Sequence, residues 1–224
     1  MQPRNTEAII LRRTNYGEAD RILNFLTPNL GKVSAIAKGV RRPKSKLAGG
    51  LELFAVSDIT VAWGRGELGI ITSARMQQFF GDILHDYDRM QVGYAIIKDI
   101  NKATETIDEP EFYALLKRSL ECLNNITIDS RIIELWFRLQ LTGLLGHGIN
   151  LTTDRTGQKL QQDQQYSYDY NEHALYSNPH GRLSGEHIKF LRLTRAKDPE
   201  VLRQVKGVEP LLDECIGLVR AIVT

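Results

Sequence analysis

The chain of 224 residues has little cysteine and no long apolar run. Cys122 and Cys215 are too few for a disulfide framework or a cysteine zinc site within one chain, and both fall in helical apolar patterns. No apolar stretch approaches the roughly 18 residues that a membrane-spanning helix needs. The N-terminal residues also lack the apolar core and cleavage site of a signal peptide. These absences predict a cytoplasmic protein that makes no membrane contact.

Acidic residues are missing between Asp20 and Glu52, and this stretch contains a cluster of cations instead. Five cations fall within nine residues, namely Lys38, Arg41, Arg42, Lys44 and Lys46. Proline, serine and glycine in the same segment predict a loop rather than a helix. A basic loop without nearby carboxylates suits a polyanionic backbone, and an ordinary solvated loop is the alternative.

The formal net charge of +2 conceals an unequal distribution. Residues 1–84 contain 12 Lys and Arg against 7 Asp and Glu, whereas residues 85–224 contain 17 against 20. This asymmetry predicts an anion-binding front part and a different task for the rest of the chain.

Alternating apolar residues predict five short strands in the front part. The predicted strands are residues 6–14, 20–27, 32–38, 53–63 and 67–75, and Gly64, Arg65 and Gly66 join the last two as a tight hairpin. Five strands with short turns and one long loop favour a small barrel of the oligonucleotide-binding (OB) kind. An SH3-like barrel is the nearest alternative.

The apolar period changes to about 3.6 after Arg75, which is typical of helices. We therefore expect an OB-fold domain at residues 1–80 and an all-helical domain at residues 81–224. The helical pattern is lost in residues 150–181, which predicts a polar surface insertion with at most a weak hairpin. The apolar helix after Ser130 is expected at the centre of the second domain.

No catalytic pattern stands out. Four histidines lie within about 40 residues, but their spacing matches no helical pair of metal ligands: His147, His173, His180 and His187. The glycines near the basic loop form no phosphate-binding motif. We expect no enzymatic activity, no metal and no cofactor.

Aromatic side chains in the front part are candidates for stacking on bases. Phe25 and Trp63 fit core positions better, and Phe54 is equally suited to packing. Tyr16, in a turn, is the best exposed candidate, with turn packing as its ordinary alternative.

An ordered series of motifs resembles the RecO family of bacterial recombination mediators. The dense part runs LRRTNYGEADRILNFLTPNLGKVSAIAKGVRRPKSKLAGGLELF and is followed by WGRGELGIITSA, covering residues 6 to about 75. The helix that ends in LLGHGIN at residues 144–150 is similar to a family helix before a variable insertion. A long ordered series is more specific than a single short motif.

The resemblance implies an OB-fold domain followed by a helical domain, without catalytic residues. It implies a DNA repair and recombination protein that binds single- and double-stranded DNA and anneals complementary strands. It would work with RecR and single-stranded-DNA-binding protein, so that RecA loads on DNA. By position, the DNA-facing surface would comprise Lys32, Lys38, Arg41, Arg42, Lys44 and Lys46, with Arg65 and Arg75.

Two further expectations concern the helical domain. Many members of the family carry a four-cysteine zinc site in the insertion, but residues 150–181 contain no cysteine, so we expect no zinc. The acidic, apolar tail of single-stranded-DNA-binding protein needs an apolar pocket with a basic rim. Candidates for that pocket are Arg131, Trp136, Phe137 and Arg138, and a core helix with two solvated arginines is the alternative. A protein adaptor or an RNA-binding barrel are the alternative functions.

Overall fold

The structure is a computed structural model that describes residues 3–64, 66, 68–107 and 109–223. The chain forms two compact units, Met1–Asn124 and Asn125–Thr224. The first unit contains the strands of the front part and two helices, and the second contains the remaining elements. The predicted order of a β-rich region followed by a helical region is confirmed. A domain boundary at residue 80 stays a prediction.

Five strands of the first unit form one sheet that closes on itself. They are β1 (Pro3–Tyr16), β2 (Asp20–Thr27), β3 (Gly31–Ala37), β4 (Ala55–Ala62) and β5 (Gly69–Phe79). Their order is β1-β2-β3-β5-β4, and β4 pairs with β1 to complete the circuit. The pairing of β3 with β5 is parallel, and the other pairings are antiparallel. Each of the five strands therefore pairs with another strand on both of its sides.

The apolar alternation of the sequence fills the inside of this sheet. Phe25 lies opposite Ile10 on β1 and opposite Val33 on β3, and all three side chains are buried. Residues directly opposite one another in neighbouring strands point to the same face. The inner face is therefore apolar across three strands, and the alternate residues remain outside.

Two helices belong to the same unit as the closed sheet, α1 (Tyr87–Ala103) and α2 (Pro110–Asn124). The Tyr113 hydroxyl and the Lys117 ammonium of α2 both donate hydrogen bonds to the Glu7 carboxylate on β1. Burial and this hydrogen bond raise the pKa of Tyr113, so it stays a neutral donor. The contact fixes α2 against the outer face of β1.

The second unit is built around one apolar helix. Its helices are α3 (Ser130–Leu144), α4 (Gly185–Ala196), α5 (Pro199–Leu202) and α6 (Glu209–Val223). Helix α3 contacts each of the other three, which agrees with its expected central position. The N-caps satisfy free backbone N–H groups, for example where Asp129 accepts from Arg131 N and Asp198 accepts from Glu200 N.

The prediction of an all-helical second domain is wrong, because residues 165–184 include three strands. The expected hairpin is present as β6 (Gln165–Asp169) and β7 (Ala174–Ser177), and β8 (Leu183–Ser184) joins β6 on its other side. Tyr166 and Leu175 are almost fully buried there. The polar composition of the segment gave no sign of this small core, since the core needs only a few apolar side chains.

None of the described helices has both the length and the apolar character needed to cross a bilayer.

Candidate nucleic-acid interface

The basic loop between β3 and β4 has a defined backbone conformation. Arg42 N donates to Gly39 O at 3.1 Å, and Ser45 N donates to Arg42 O at 3.0 Å, so two consecutive β-turns carry the cations. Gly39 has a φ of 65°, which favours glycine at this position. Pro43 occupies the second position of the second turn, where its fixed φ is suitable. The predicted loop is thus a pair of turns with exposed side chains.

Three hydrogen bonds attach the basic loop to the turn between β1 and β2. Gly39 N donates to the Asp20 carboxylate at 2.7 Å, and Arg41 N donates to Ala19 O at 2.9 Å. The Arg41 guanidinium also donates to Gly17 O at 3.3 Å. These contacts hold the basic loop in a fixed position relative to the turn between β1 and β2.

Apolar side chains anchor the same loop to the core. Val40 and Leu51 are buried in the core of the closed sheet, and Leu47 packs against it. The 3-10 helix Ala48–Gly50 ends the loop and passes close to β5. A Cβ on Gly50 would lie 2.5 Å from the backbone of Ala74, so only glycine fits without displacement.

Substitution Gly50→Ala is expected to destabilise the first unit by about 1–3 kcal/mol, because the methyl group would displace the backbone of Ala74. Gly49→Ala is the matched control, since a Cβ there meets no heavy atom within 4 Å. Urea unfolding of both variants measures the effect. Equal midpoints for the two variants would contradict this close approach.

The five loop cations are exposed and project from these turns: Lys38, Arg41, Arg42, Lys44 and Lys46. Within the described part of the chain, none of the five forms an ion pair with a carboxylate. The Asp20 carboxylate, which contacts the loop backbone, accepts the hydrogen bond of Gly39 N. The structure therefore brings five of the eight predicted DNA-contacting residues together in one place, with their charges available.

Lys32 does not lie with the loop cations, and its predicted DNA contact stays a prediction. It sits at the other end of β3, roughly 20 Å from Lys38 at about 3.3 Å per residue. Its ammonium donates to Asn101 O at 2.7 Å and lies 4.0 Å from Glu105. Burial lowers the pKa of Lys32, and Glu105 partly offsets this effect. The side chain joins β3 to the C-terminal end of α1.

The remaining two predicted cations are Arg75 and Arg65. Arg75 is exposed on β5, but it lies directly opposite Asp58 on β4, whose carboxylate also accepts from Gln77. We therefore expect Arg75 to be a weaker phosphate contact than the loop cations. Arg65, in the predicted hairpin between β4 and β5, lies outside the described residues.

The sequence analysis missed a polar row on the outer face of the sheet. Arg12 on β1, Asn24 on β2 and Ser34 on β3 lie directly opposite one another and share this face. The Ser34 hydroxyl donates to the Asn24 amide oxygen at 3.2 Å, and Arg12 is exposed. Tyr16 follows Arg12 by four residues and lies on the same face. The signal was present in the sequence as polar residues that alternate with apolar ones.

The four residues predicted to form a tail-binding pocket do not form one. Phe137 is fully buried, and Trp136 and Arg138 are almost buried, so only Arg131 is exposed. Arg131 is itself bound by Asp129, with 2.7 Å between Nη2 and Oδ2. The expectation failed because α3 is apolar on nearly every side and is surrounded by other helices.

Arg138 belongs instead to an ion cluster of the second unit, in which Glu134 and Arg138 are almost buried and Arg220 is partly exposed. The Glu134 carboxylate accepts from Arg138 Nε at 3.0 Å and from Arg220 Nε and Nη2 at 2.7 and 2.8 Å. Burial acts to raise the pKa of Glu134, but hydrogen bonds and charge from the two arginines outweigh it and lower the pKa. The cluster joins α3 to the C-terminal half of α6.

The histidines do not converge on a metal site. The rings of His147 and His173 stack with 5.7 Å between their centroids, and the ring of His187 caps α4 through Ser184. In residues 3–64, 66, 68–107 and 109–223, no three His, Cys, Asp or Glu side chains are grouped as metal ligands.

Comparison with known proteins identifies the family. Residues 1–80 match the family described as Recombination protein O N terminal, and residues 84–224 match Recombination protein O C terminal. A protein of Dehalococcoides mccartyi named DNA repair protein RecO is 35% identical over 143 residues, which are 63% of this chain and 56% of that protein. One of the same name from Desulfatibacillum aliphaticivorans is 34% identical over 149 residues, 65% of this chain and 58% of that protein.

A third relative aligns over nearly the whole chain. The DNA repair protein RecO of Alkaliphilus metalliredigens is 29% identical over 223 residues, which are 96% of this chain and 89% of that protein. The chain spans little more than half the length of the two relatives described before it. The two family matches together account for almost every residue. The chain therefore belongs to the RecO family of recombination proteins, whose curated members are named DNA repair proteins.

Proposed function

We propose that this protein is a DNA-binding recombination mediator that anneals complementary single strands during DNA repair. The observation that carries the proposal is the group of five exposed cations on an anchored loop: Lys38, Arg41, Arg42, Lys44 and Lys46. Such a group neutralises phosphates without reading sequence. Two strands whose repulsion is reduced in this way can approach and pair.

The fold of the first unit supports the same proposal. We assign the closed five-stranded sheet to the OB-fold barrels, because its order β1-β2-β3-β5-β4 and its parallel β3 and β5 match that architecture. OB-fold barrels bind oligonucleotides on the face of strands 2 and 3 and on the loops that follow strands 1 and 4, and in this chain the basic loop is attached to the turn after β1. In this chain that face carries Asn24 and Ser34, beside the basic loop.

Membership of the family supports the rest of the proposal. The protein would act without catalysis, together with RecR and single-stranded-DNA-binding protein, and would help RecA to load on DNA. Binding of single- and double-stranded DNA through phosphates would serve both the search for a partner strand and its annealing. The residues of α3 play no part in this proposal, because most of them are buried.

The test is annealing of two complementary fluorescent oligonucleotides by the purified protein at several salt concentrations. We expect faster annealing than without protein. The logarithm of the affinity for a single strand should fall with the logarithm of the salt concentration at a slope of roughly −3, as four phosphate contacts predict. Annealing without acceleration, or an affinity that does not change with salt, would reject the proposal.

A protein adaptor that retains the fold without DNA binding is the competing function. It would leave the affinity for DNA negligible at every salt concentration. An RNA-binding barrel is distinguished by parallel measurements with DNA and RNA strands of the same sequence, since only 2′-hydroxyl contacts would favour RNA.

A further inference from the structure

The Tyr16 side chain is 56% exposed at the end of β1. Within the described part of the chain, its ring and hydroxyl have no hydrogen bond or ring contact. Phe25 and Phe54, by contrast, are buried, and Trp63 packs partly against the core. Among the described aromatic side chains of the closed sheet Tyr16 is therefore the most exposed, ahead of Phe79 on β5 at 46%, and the fold gains little from its ring.

Tyr16 is also held next to the basic loop. It pairs with Asp20 across the turn, and Asp20 accepts the hydrogen bond from Gly39 N. The Arg41 guanidinium lies 3.3 Å from the oxygen of Gly17, the residue that follows Tyr16. A cation and an aromatic ring are thus fixed on one turn, so one nucleotide could place its phosphate and its base on them together.

The outer face of β1 continues this arrangement. Thr14 and Arg12 precede Tyr16 at intervals of two residues and are exposed on the same face. Arg12 begins the polar row that reaches Asn24 and Ser34. A DNA strand that runs from Tyr16 along this face therefore reaches a second cation, Arg12, which lies four residues earlier on β1.

We propose that Tyr16 stacks on an unpaired base and gives this interface its preference for single strands over duplex DNA. The inference rests on the proposed DNA binding and adds its selectivity. The loop cations contact phosphates, which single strands and duplexes both present. In a duplex the faces of the bases are covered by their neighbours, so only an unpaired base can stack on the ring.

The test compares Tyr16→Ala and Tyr16→Phe with the native protein by fluorescence anisotropy, using a labelled single strand and its duplex at one salt concentration. We expect Tyr16→Ala to weaken single-strand binding about 10-fold, within the range for loss of one stacked base. Duplex affinity and the salt dependence should change little, because the phosphate contacts remain. Tyr16→Phe should bind like the native protein, since stacking needs the ring and not the hydroxyl.

Tyr87→Ala is the matched control, because Tyr87 is 70% exposed at the start of α1 in the same unit. It should bind both DNAs like the native protein. Unchanged single-strand binding by Tyr16→Ala, or an equal loss for single strand and duplex, would overturn the inference and leave the proposed function standing. If the native protein binds neither DNA, the proposed function fails, and the inference fails with it.

Discussion

Replacing Arg41, Arg42, Lys44 and Lys46 with alanine is expected to weaken the binding of single-stranded DNA on the order of 100-fold at about 0.1 M salt. Four phosphate contacts release enough counterions to supply roughly two to three powers of ten in affinity at that concentration. The salt dependence of the variant should be nearly flat, and its acceleration of annealing should be lost. Anisotropy titrations across a salt series measure both quantities.

The control variant carries alanine at four exposed lysines outside the loop segment, Lys98, Lys159, Lys197 and Lys206. Both variants lose four positive charges, so their net charges are equal. A difference between them therefore reports the position of the charges and not the total. If the control loses as much affinity as the loop variant, long-range attraction dominates and the basic loop is not the DNA-contacting surface.

Substitution Glu134→Gln is expected to cost the second unit about 3 kcal/mol or more. It removes a carboxylate charge that pairs with Arg138, which is almost buried, and breaking a buried pair typically costs 3–5 kcal/mol. Urea unfolding followed by the fluorescence of Trp136 on α3 measures this effect. A Trp63→Phe background isolates that signal, since the chain has two tryptophans.

The control is Glu172→Gln. The exposed Glu172 carboxylate lies 3.9 Å from Arg155, and this pair should contribute about 1 kcal/mol or less.

The effect of Glu134→Gln should also depend on pH. The pKa of Glu134 is lower in the folded protein than in the unfolded chain, where it is near 4.5. The charged carboxylate therefore stabilises the folded protein fully above the unfolded pKa, and this stability is lost as the pH falls through the lower pKa of the folded protein. The difference in free energy of unfolding between the native protein and the variant should therefore become smaller in acid. A difference that is constant from pH 7 to pH 3 would contradict the ion cluster.

Local patterns predicted the features that depend on neighbouring residues. The second strand was placed at residues 20–27, where β2 (Asp20–Thr27) lies, because its apolar alternation is strong. The basic loop was recognised from its composition alone, and α3 begins at Ser130, where the apolar helix was expected. Each of these signals lies within a few residues along the chain.

Features that depend on distant residues could not be predicted in this way. Lys32 resembled the loop cations in sequence, yet its partner Asn101 lies 69 residues further along the chain. Arg138 was expected at a tail-binding pocket or in solvent, and its cluster is completed by Arg220, which lies 86 residues beyond Glu134. Pattern and composition describe what a side chain can do, and the fold decides which partner it meets.

The attachment of the basic loop to the turn between β1 and β2 has a thermodynamic consequence. The hydrogen bonds of Gly39 and Arg41 form when the protein folds, so the loop backbone is already ordered before DNA arrives. The conformational entropy of the loop is then lost during folding and not during association. DNA binding by such a surface needs no coupled folding step. Electrostatic attraction between the loop cations and the phosphates can therefore give a fast association rate.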